Sequence, residues 1–477
     1  MPLIFDRSPL SAFFSCLLVT LLCTPATVSQ AQTSLIHNVD ILSMGTDTPE
    51  MISGHAVLVV DGVIEDIGPL AGIDVPSDAI LIDGMGGTLM PGLVDMHVHV
   101  WDAPELLAYL SYGITTVRNM SGMPYLLTWQ AEIESGERRG PRLLTTGPIL
   151  NSPGPNAQLN HQLVSTADEA VRAVEWQYAM GFRELKVYSN LTRETYGAIL
   201  GAANRLGMSI SGHTPEGTRE YGMPEERDFN IRFSEILDDG FITIEHMESI
   251  VWHGLRDQLD DEALQALASE VAAVGVAVDA TLLAHHNLVR AANEKQDFVN
   301  RQGVELLNPL LLEFEQENIE FWTKMPRGTR EDYDAFYARA TAAFQQAGVP
   351  LVAGTDAGIF LNVPGLSLIE ELQLMTGGGM TPYQALLTAT RTPAKVLSLH
   401  NLGQIELGYQ AELVLLAGNP LDDLGILTQP VGVMRQGEWL SSDAVQAMRI
   451  EATQHDTART EALVFSALEE QQAAVTP

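Results

Sequence analysis

Between residues 89 and 400 the chain alternates short apolar runs with amphipathic helical segments, and this rhythm leaves few folds open. The strand-like runs are Leu93 to Val98, Thr115 to Arg118, Arg142 to Thr146, Glu184 to Tyr188, Ser209 to His213, Ile242 to His246, Val276 to Ala280 and Leu351 to Thr355. The helices between them have readable ends. Thr192 caps one that carries Tyr196, Ile199, Leu200 and Ala203 at helical spacing and stops at Gly207; Asp260 caps another, with Leu264, Leu267, Val271 and Val274, that stops at Gly275. Eight strands each followed by a helix predict an α/β fold of the (β/α)8 barrel type, whose active site lies at the strand C-termini. An open doubly wound sheet is the alternative, but no Gly-x-Gly-x-x-Gly fingerprint follows the first strand.

Both ends of the chain read differently. From 32 to 88, Ser34 to His37, His55 to Val60, Val63 to Ile67 and Ile80 to Ile82 are short strand runs, with turn signals at Asp61-Gly62 and Gly86-Gly87. Similar runs return over 401 to 440, at Gly403 to Ile405, Leu413 to Leu416 and Val431 to Met434, followed by Gln436-Gly437-Glu438. The two stretches together predict one small β-sandwich assembled from both chain ends. Residues 441 to 477 are polar, read as a helical tail, and carry no information about chemistry. Between the last two barrel strands, Thr281 to Val349 forms a long polar and helical insertion with Phe321-Trp322 and Tyr333 to Tyr337, placed for a lid or a specificity element.

Residues 1 to 31 carry Arg7, an apolar run from Leu10 to Leu22, and small residues Ser29 and Ala31 before Gln32. That is the pattern of a cleaved secretory signal, and the run is shorter than the ~20 apolar residues of a membrane span. The expected location is extracytoplasmic, periplasmic or secreted, with no membrane attachment after cleavage. Lipid attachment at Cys23 is disfavoured because Leu22 before it is not small. Cys16 and Cys23 are the only cysteines, so the mature chain has no thiol for a disulfide, a nucleophile or a thiolate metal site. The 477-residue length of the full chain and its 46% hydrophobic content suffice for a large core plus a small second domain.

A net charge of -35 repels phosphates and anionic lipid, which argues against nucleic acid and membrane partners. The carboxylates are dispersed, as for solubility. Lysine is confined to Lys186, Lys295, Lys324 and Lys395, which makes Lys186 inside a strand conspicuous.

Ligand-type side chains recur at the ends of these strands. Residues two apart on a strand share a face, so His97 and His99 both project into a barrel and their imidazoles can converge on one ion; alone, the pair also fits two ordinary buried histidines. Asp95, on that face one step deeper, is placed to accept a hydrogen bond from a ligand histidine. Burying an ammonium at Lys186 costs energy without a partner, and burial lowers its pKa; a neutral amine reacts with carbon dioxide to give a carbamate whose oxygens bridge two metals. A pair with an acid such as Glu184 is the plain alternative. His213 and His246 end successive strands, and Asp356 follows the last, where an aspartate also serves as a helix cap. Tyr188 shares a face with Lys186 and is equally a packed core aromatic. Arg118 ends the second strand run, His161 lies in the loop after the third, His253 follows the sixth, and His285 with neighbouring His286 follows the seventh; each is a candidate to meet substrate at the mouth.

Taken in combination, Met90-Pro-Gly-Leu-Val-Asp-Met-His-Val-His99, Leu185-Lys-Val-Tyr188, Gly212-His213, Ile244-Glu-His246 and Ala353-Gly-Thr-Asp356 resemble the amidohydrolase superfamily, in its binuclear carboxylated-lysine form and its prolidase-like and imidazolonepropionase-like branch. The likeness covers nearly the whole mature chain, and Lys186 sets it apart from the one-metal relatives. The resemblance implies two divalent metal ions per chain, zinc first with manganese, cobalt or iron as alternatives. His97, His99, Asp356 and an N6-carboxylysine at Lys186 would hold one, and Lys186, His213 and His246 the other. It implies that two cations ~3.5 to 4 Å apart supply hydroxide while Asp356 acts as general base and Tyr188 steadies the oxyanion. The expected activity is cleavage of an amide or peptide bond in a dipeptide or N-acyl amino acid, of prolidase or carboxypeptidase type. Hydrolysis of an organophosphate, a lactone or a toxin amide on the same centre is the alternative, and a non-catalytic binding protein the more distant one. The partner is a small molecule or short peptide, and a homo-oligomer stays an open option.

Overall fold

The computed structural model describes residues 33–476, so the expected signal segment lies outside the described residues. No helix of the described residues is long and apolar enough to cross a membrane.

Strands Thr33–Leu42, Met51–Val60, Val63–Gly68 and Ile80–Pro91 from one end of the chain join Leu413–Leu416, Gly432–Arg435 and Glu438–Ser441 from the other in a single seven-stranded sheet. Thr33–Leu42 runs antiparallel to Met51–Val60 and parallel to Ile80–Pro91, and Ile80–Pro91 accepts Leu413–Leu416 with Met90 opposite Val414. Two tight hairpins fix register: Asp61-Gly62 and Gln436-Gly437 all have positive φ, as the turn geometry demands. Val63 bridges Gln410, with Ile64 N donating to Tyr409 O at 2.8 Å and Ala411 N to Gly62 O at 2.7 Å. The sheet therefore curls around Ile36, Val57, Leu89, Leu413 and Met434. The strand expected at Gly403–Ile405 does not form. Gly403 takes φ +76 in a turn pressed against the Thr390 carbonyl, and only Ile405 N reaches a strand end, at Ser43 O.

The middle of the chain closes into a parallel α/β barrel. Its eight strands are Leu93–Val98, Ile114–Asn119, Arg142–Thr145, Glu184–Val187, Ser209–Gly212, Phe241–Glu245, Ala277–Asp279 and Leu351–Val352. The continuous burial of Leu93–Val98 and Ile114–Asn119 matches strands covered on both faces by side chains, whereas Arg142–Thr145 is half-buried. Neighbouring strands pair in register, Lys186 opposite Ser211 and Ile244 opposite Val278. Gly147 N donating to Glu184 O at 2.8 Å joins the third strand to the fourth. Met96 N to Ala353 O at 2.9 Å and Asp356 N to His97 O at 2.8 Å close the eighth on the first.

The connecting helices end where the sequence marks them. Thr192 accepts from Thr195 N and Gly207 ends that helix at φ 67; Asp260 accepts from Glu262 N and Ala263 N, and Gly275 ends its helix at φ 78. The insertion before the last strand is helical: Leu282–Glu294, Gln296–Val299, Pro309–Phe314, Gln316–Lys324 and Glu331–Ala347. The C-terminal stretch forms Ser442–Glu451 and Thr457–Ala473.

Candidate active site

His97, His99, Lys186, His213, His246 and Asp356 leave the C-terminal ends of five of the strands and line one cavity of about 210 Å³. His99 Nε2 lies 2.8 Å from Asp356 Oδ1, His97 Nε2 3.2 Å from the same oxygen, and Lys186 Nζ 3.3 Å from His97 Nε2. Ring centres of His97 and His246 are 4.7 Å apart, and those of His213 and His246 4.2 Å. Two of the group leave their strands in the left-handed region, His246 at φ 69 and Asp356 at φ 57, a turn that His and Asp tolerate better than branched residues. Gly354 is required for the last strand to approach: a Cβ there would lie 2.4 Å from both Asp279 Oδ2 and His97 Cβ.

The outer ring nitrogens are fixed from behind. Nδ1 of His97 meets Glu245 Oε2 at 2.8 Å, Nδ1 of His99 meets Ser121 Oγ at 2.7 Å, and Nδ1 of His246 meets Thr281 Oγ1 at 2.6 Å. Each contact leaves Nε2 turned to the cavity, the orientation a metal-ligating imidazole takes. The histidine partner is thus Glu245 and not Asp95, whose Oδ1 accepts from the His97 backbone N and whose Oδ2 accepts from Thr355 Oγ1. Burial pushes Asp95 up to about 8. Glu245 has a strand signal: with Thr243 it alternates onto the inward face of Phe241–Glu245, an ionisable group in an apolar run.

Electrostatics follow burial and contact. Desolvation lowers Lys186 to about 8 and holds His97, His213 and His246 below the usual imidazole range. Burial raises Asp356, but His97 and His99 outweigh it and keep the carboxyl ionised far below the carboxylate range. The alternative partner of Lys186 is taken: Glu184 pairs with Arg118. His213 Nδ1 is buried and unpartnered, a donor set lacking its acceptor. Donor atoms of His97, His99 and Asp356 all lie within 4.8 Å of one another. Imidazole and carboxylate suit a divalent transition metal, so these residues fit the metal that such a set implies.

The other expected residues divide. Tyr188 lines the cavity, its ring 3.9 Å from that of His213 and 4.6 Å from that of His161, and burial raises its phenol well above the usual range. His161 also lines it, lowered to about 3 by burial. Arg118 does not reach the mouth. It is fully buried inside the barrel, where Nη1 donates to Thr243 Oγ1 at 2.9 Å and Nη2 to Ser211 Oγ at 2.6 Å beside the Glu184 pair. His253 is likewise structural, with Nδ1 at Thr214 Oγ1 and Nε2 at the Ile231 carbonyl. His285 stands behind the mouth, 3.4 Å from Asp334 Oδ1 and 3.3 Å from Arg330 Nε.

A polar chamber of about 380 Å³ adjoins the cavity and shares Gln158, Tyr188, His213 and Glu248 with it. Arg219 and Arg330 line this chamber, the first held by Glu216 at 2.8 Å, the second by Tyr337 Oη at 3.1 Å. These residues carried no usable sequence signal, since loop arginines in an acidic protein look alike.

A closed parallel barrel presenting histidines and a carboxylate at its strand C-termini defines the class of metal-type hydrolase barrels. The chain belongs to the amidohydrolase family, whose model matches residues 88–440. Ochratoxinase of Aspergillus niger is 37% identical over 91 residues, a match spanning 18% of this chain and 18% of that relative. The crystal structure of A. niger ochratoxinase aligns with TM-score 0.60 at 18% identity, covering 86% of this chain and 96% of that one. A bottromycin amidohydrolase gives TM-score 0.70 at 23% identity, covering 89% and 92%. A Xaa-Pro dipeptidase with bound methionine in its active site gives 0.63 at 21%, covering 86% and 100%. At these identities the structural likeness speaks for the fold.

Proposed function

We propose that this chain is an exported, two-cation amidohydrolase that cleaves the amide bond of an N-acyl amino acid or a dipeptide. The observation that carries the reading is the convergence of His97, His99 and Asp356 donor atoms within 4.8 Å, beside a buried Lys186 whose Nζ is 3.3 Å from His97 Nε2. His97, His99 and Asp356 would hold one cation, and His213 and His246 the other, with Lys186 as N6-carboxylysine between them; zinc is our first choice of metal. When bound, such cations lower the pKa of water toward neutrality and polarise the scissile carbonyl.

The chain's own residues do the rest. Asp356, kept ionised by His97 and His99, takes the proton of the attacking water and returns it to the leaving nitrogen. Tyr188, neutral because its phenol is raised by burial, donates a hydrogen bond to the carbonyl oxygen as charge develops there. The substrate carboxylate lies in the polar chamber, where the positive charges of Arg219 and Arg330 attract it.

Residues 1–31 are read as the export signal, which brings the enzyme to extracytoplasmic substrates, and the curled terminal sheet as the small β-sandwich of the family. Purified chain assayed on N-acyl amino acids, dipeptides and lactones, before and after chelation, tests the reading. We expect amide turnover lost on chelation and restored by zinc; turnover of lactones alone, with every amide inert, would overturn it.

A further inference from the structure

The helix Thr457–Ala473, distant in sequence from every strand-end residue, borders the catalytic cleft. Its Val464 and Leu468 join Leu311 and Phe314 of Pro309–Phe314, together with Trp101 and Ile359, around a cavity of about 370 Å³. Gln158, Asn318 and Ile359 line both this cavity and the one holding His97, Lys186 and Asp356. The two spaces therefore share a boundary. The polar chamber meets the same catalytic cavity at Tyr188, His213 and Glu248, and Gln158 lines all three spaces, so the cleft has one apolar and one polar flank that adjoin at Gln158.

The apolar flank is a fixed wall. Asn308 Nδ2 donates to Thr460 Oγ1 at 3.2 Å and to Asp102 Oδ2 at 3.0 Å, and Gln162 Nε2 donates to the Gln471 carbonyl at 2.6 Å, tying the terminal helix to the barrel at both of its ends. Yet it leaves apolar surface in water: Phe314 is 38% exposed and Leu159 61%. Apolar area left open beside a reaction centre favours a ligand that covers it.

We propose that this cavity is the subsite for the acyl group of the substrate, and that the group is a bulky aryl or branched-alkyl carboxylic acyl. The assignment rests on the amide-hydrolase reading and adds a direction to it. The acyl group enters between the terminal helix and Pro309–Phe314, its carbonyl meets Asp356 and Tyr188, and the amino-acid end lies toward Arg219 and Arg330. Hydrolysis breaks the acyl–nitrogen bond; the water's hydroxyl ends on the acyl carbon and its proton on the nitrogen.

The test compares N-acetyl, N-benzoyl and N-naphthoyl derivatives of phenylalanine, leucine and proline on the purified zinc-loaded enzyme, Phe314→Ser and Leu468→Asp. Wild type should favour naphthoyl over acetyl by about tenfold or more in kcat/KM, mostly through KM. Both variants should collapse that ratio. An undiminished ratio in folded Phe314→Ser, whose side chain is part-exposed, would overturn the subsite. Fluorescence titration with N-naphthoyl-phenylalanine reads binding without turnover. Binding weakened by both substitutions, in an enzyme that cleaves no amide, would keep the subsite and sink the amide reading. A change of sedimentation mass in the variants with unchanged naphthoyl binding would make the cavity a face for a second copy and overturn the proposal.

Discussion

Glu245 decides how His97 is presented. As an ionised carboxylate 2.8 Å from Nδ1 it holds the tautomer that turns Nε2 to the cavity. Glu245→Gln removes the charge and keeps the shape, so we expect metal affinity and kcat to fall by about 10–100-fold. Chelator competition and steady-state rates check this, and unchanged affinity would count against the role. At this scale the sequence is legible where a residue ends an apolar run, as His213 and His246 do. It fails for Arg118, because an arginine at a strand end reads the same whether it faces the mouth or the barrel interior. Only the neighbouring strands, bringing Ser211, Thr243 and Glu184 around its guanidinium, settle that. It also fails for Asp95 and Glu245, which both alternate inward; which one meets the ring depends on which strand crosses behind His97.

Helix ends, strand runs and tight turns are local, and the elements they define were legible. Thr192 and Asp260 cap the helices they precede, and Gly207 and Gly275 end them in the left-handed conformation. Thr192→Ala should cost about 1 kcal/mol, because the Thr195 backbone N–H loses its acceptor. A urea unfolding curve with a lower midpoint and unchanged slope is the expected result. What local pattern does not carry is docking. The strand expected at Gly403–Ile405 has no edge to pair with beyond one bond to Ser43. The last barrel strand stops at Val352 since Gly354 must pack against Asp279 and His97 and Asp356 then turns out at φ 57. The C-terminal helix read as polar and featureless, and its Val464 and Leu468 acquire meaning only against Pro309–Phe314.

Across the whole molecule, burial of ionisable groups sets the response to pH. Desolvation raises Glu105 and Glu371 from 4.5 to about 8, so both are neutral in the folded chain where the unfolded chain ionises them. Their contribution to stability is fully present below about 4.5 and is lost as pH rises through about 8. The melting temperature should therefore be lower at pH 9 than at pH 6, and Glu105→Gln should decline less; a parallel decline would contradict the assignment. The barrel and its ring of ligand-type residues were legible because each strand is short, apolar and closed by one polar side chain. The chambers beside that ring were not, being built from loops and from segments far apart in sequence. In the proposed two-cation centre the two sites are joined through Lys186. Metal analysis of the purified chain and of Lys186→Ala, both loaded with zinc and bicarbonate, reads that junction. Two zinc ions per wild-type chain and one or fewer in Lys186→Ala, partly restored by a short-chain carboxylic acid, is the expected result; equal metal content in the two proteins would contradict it.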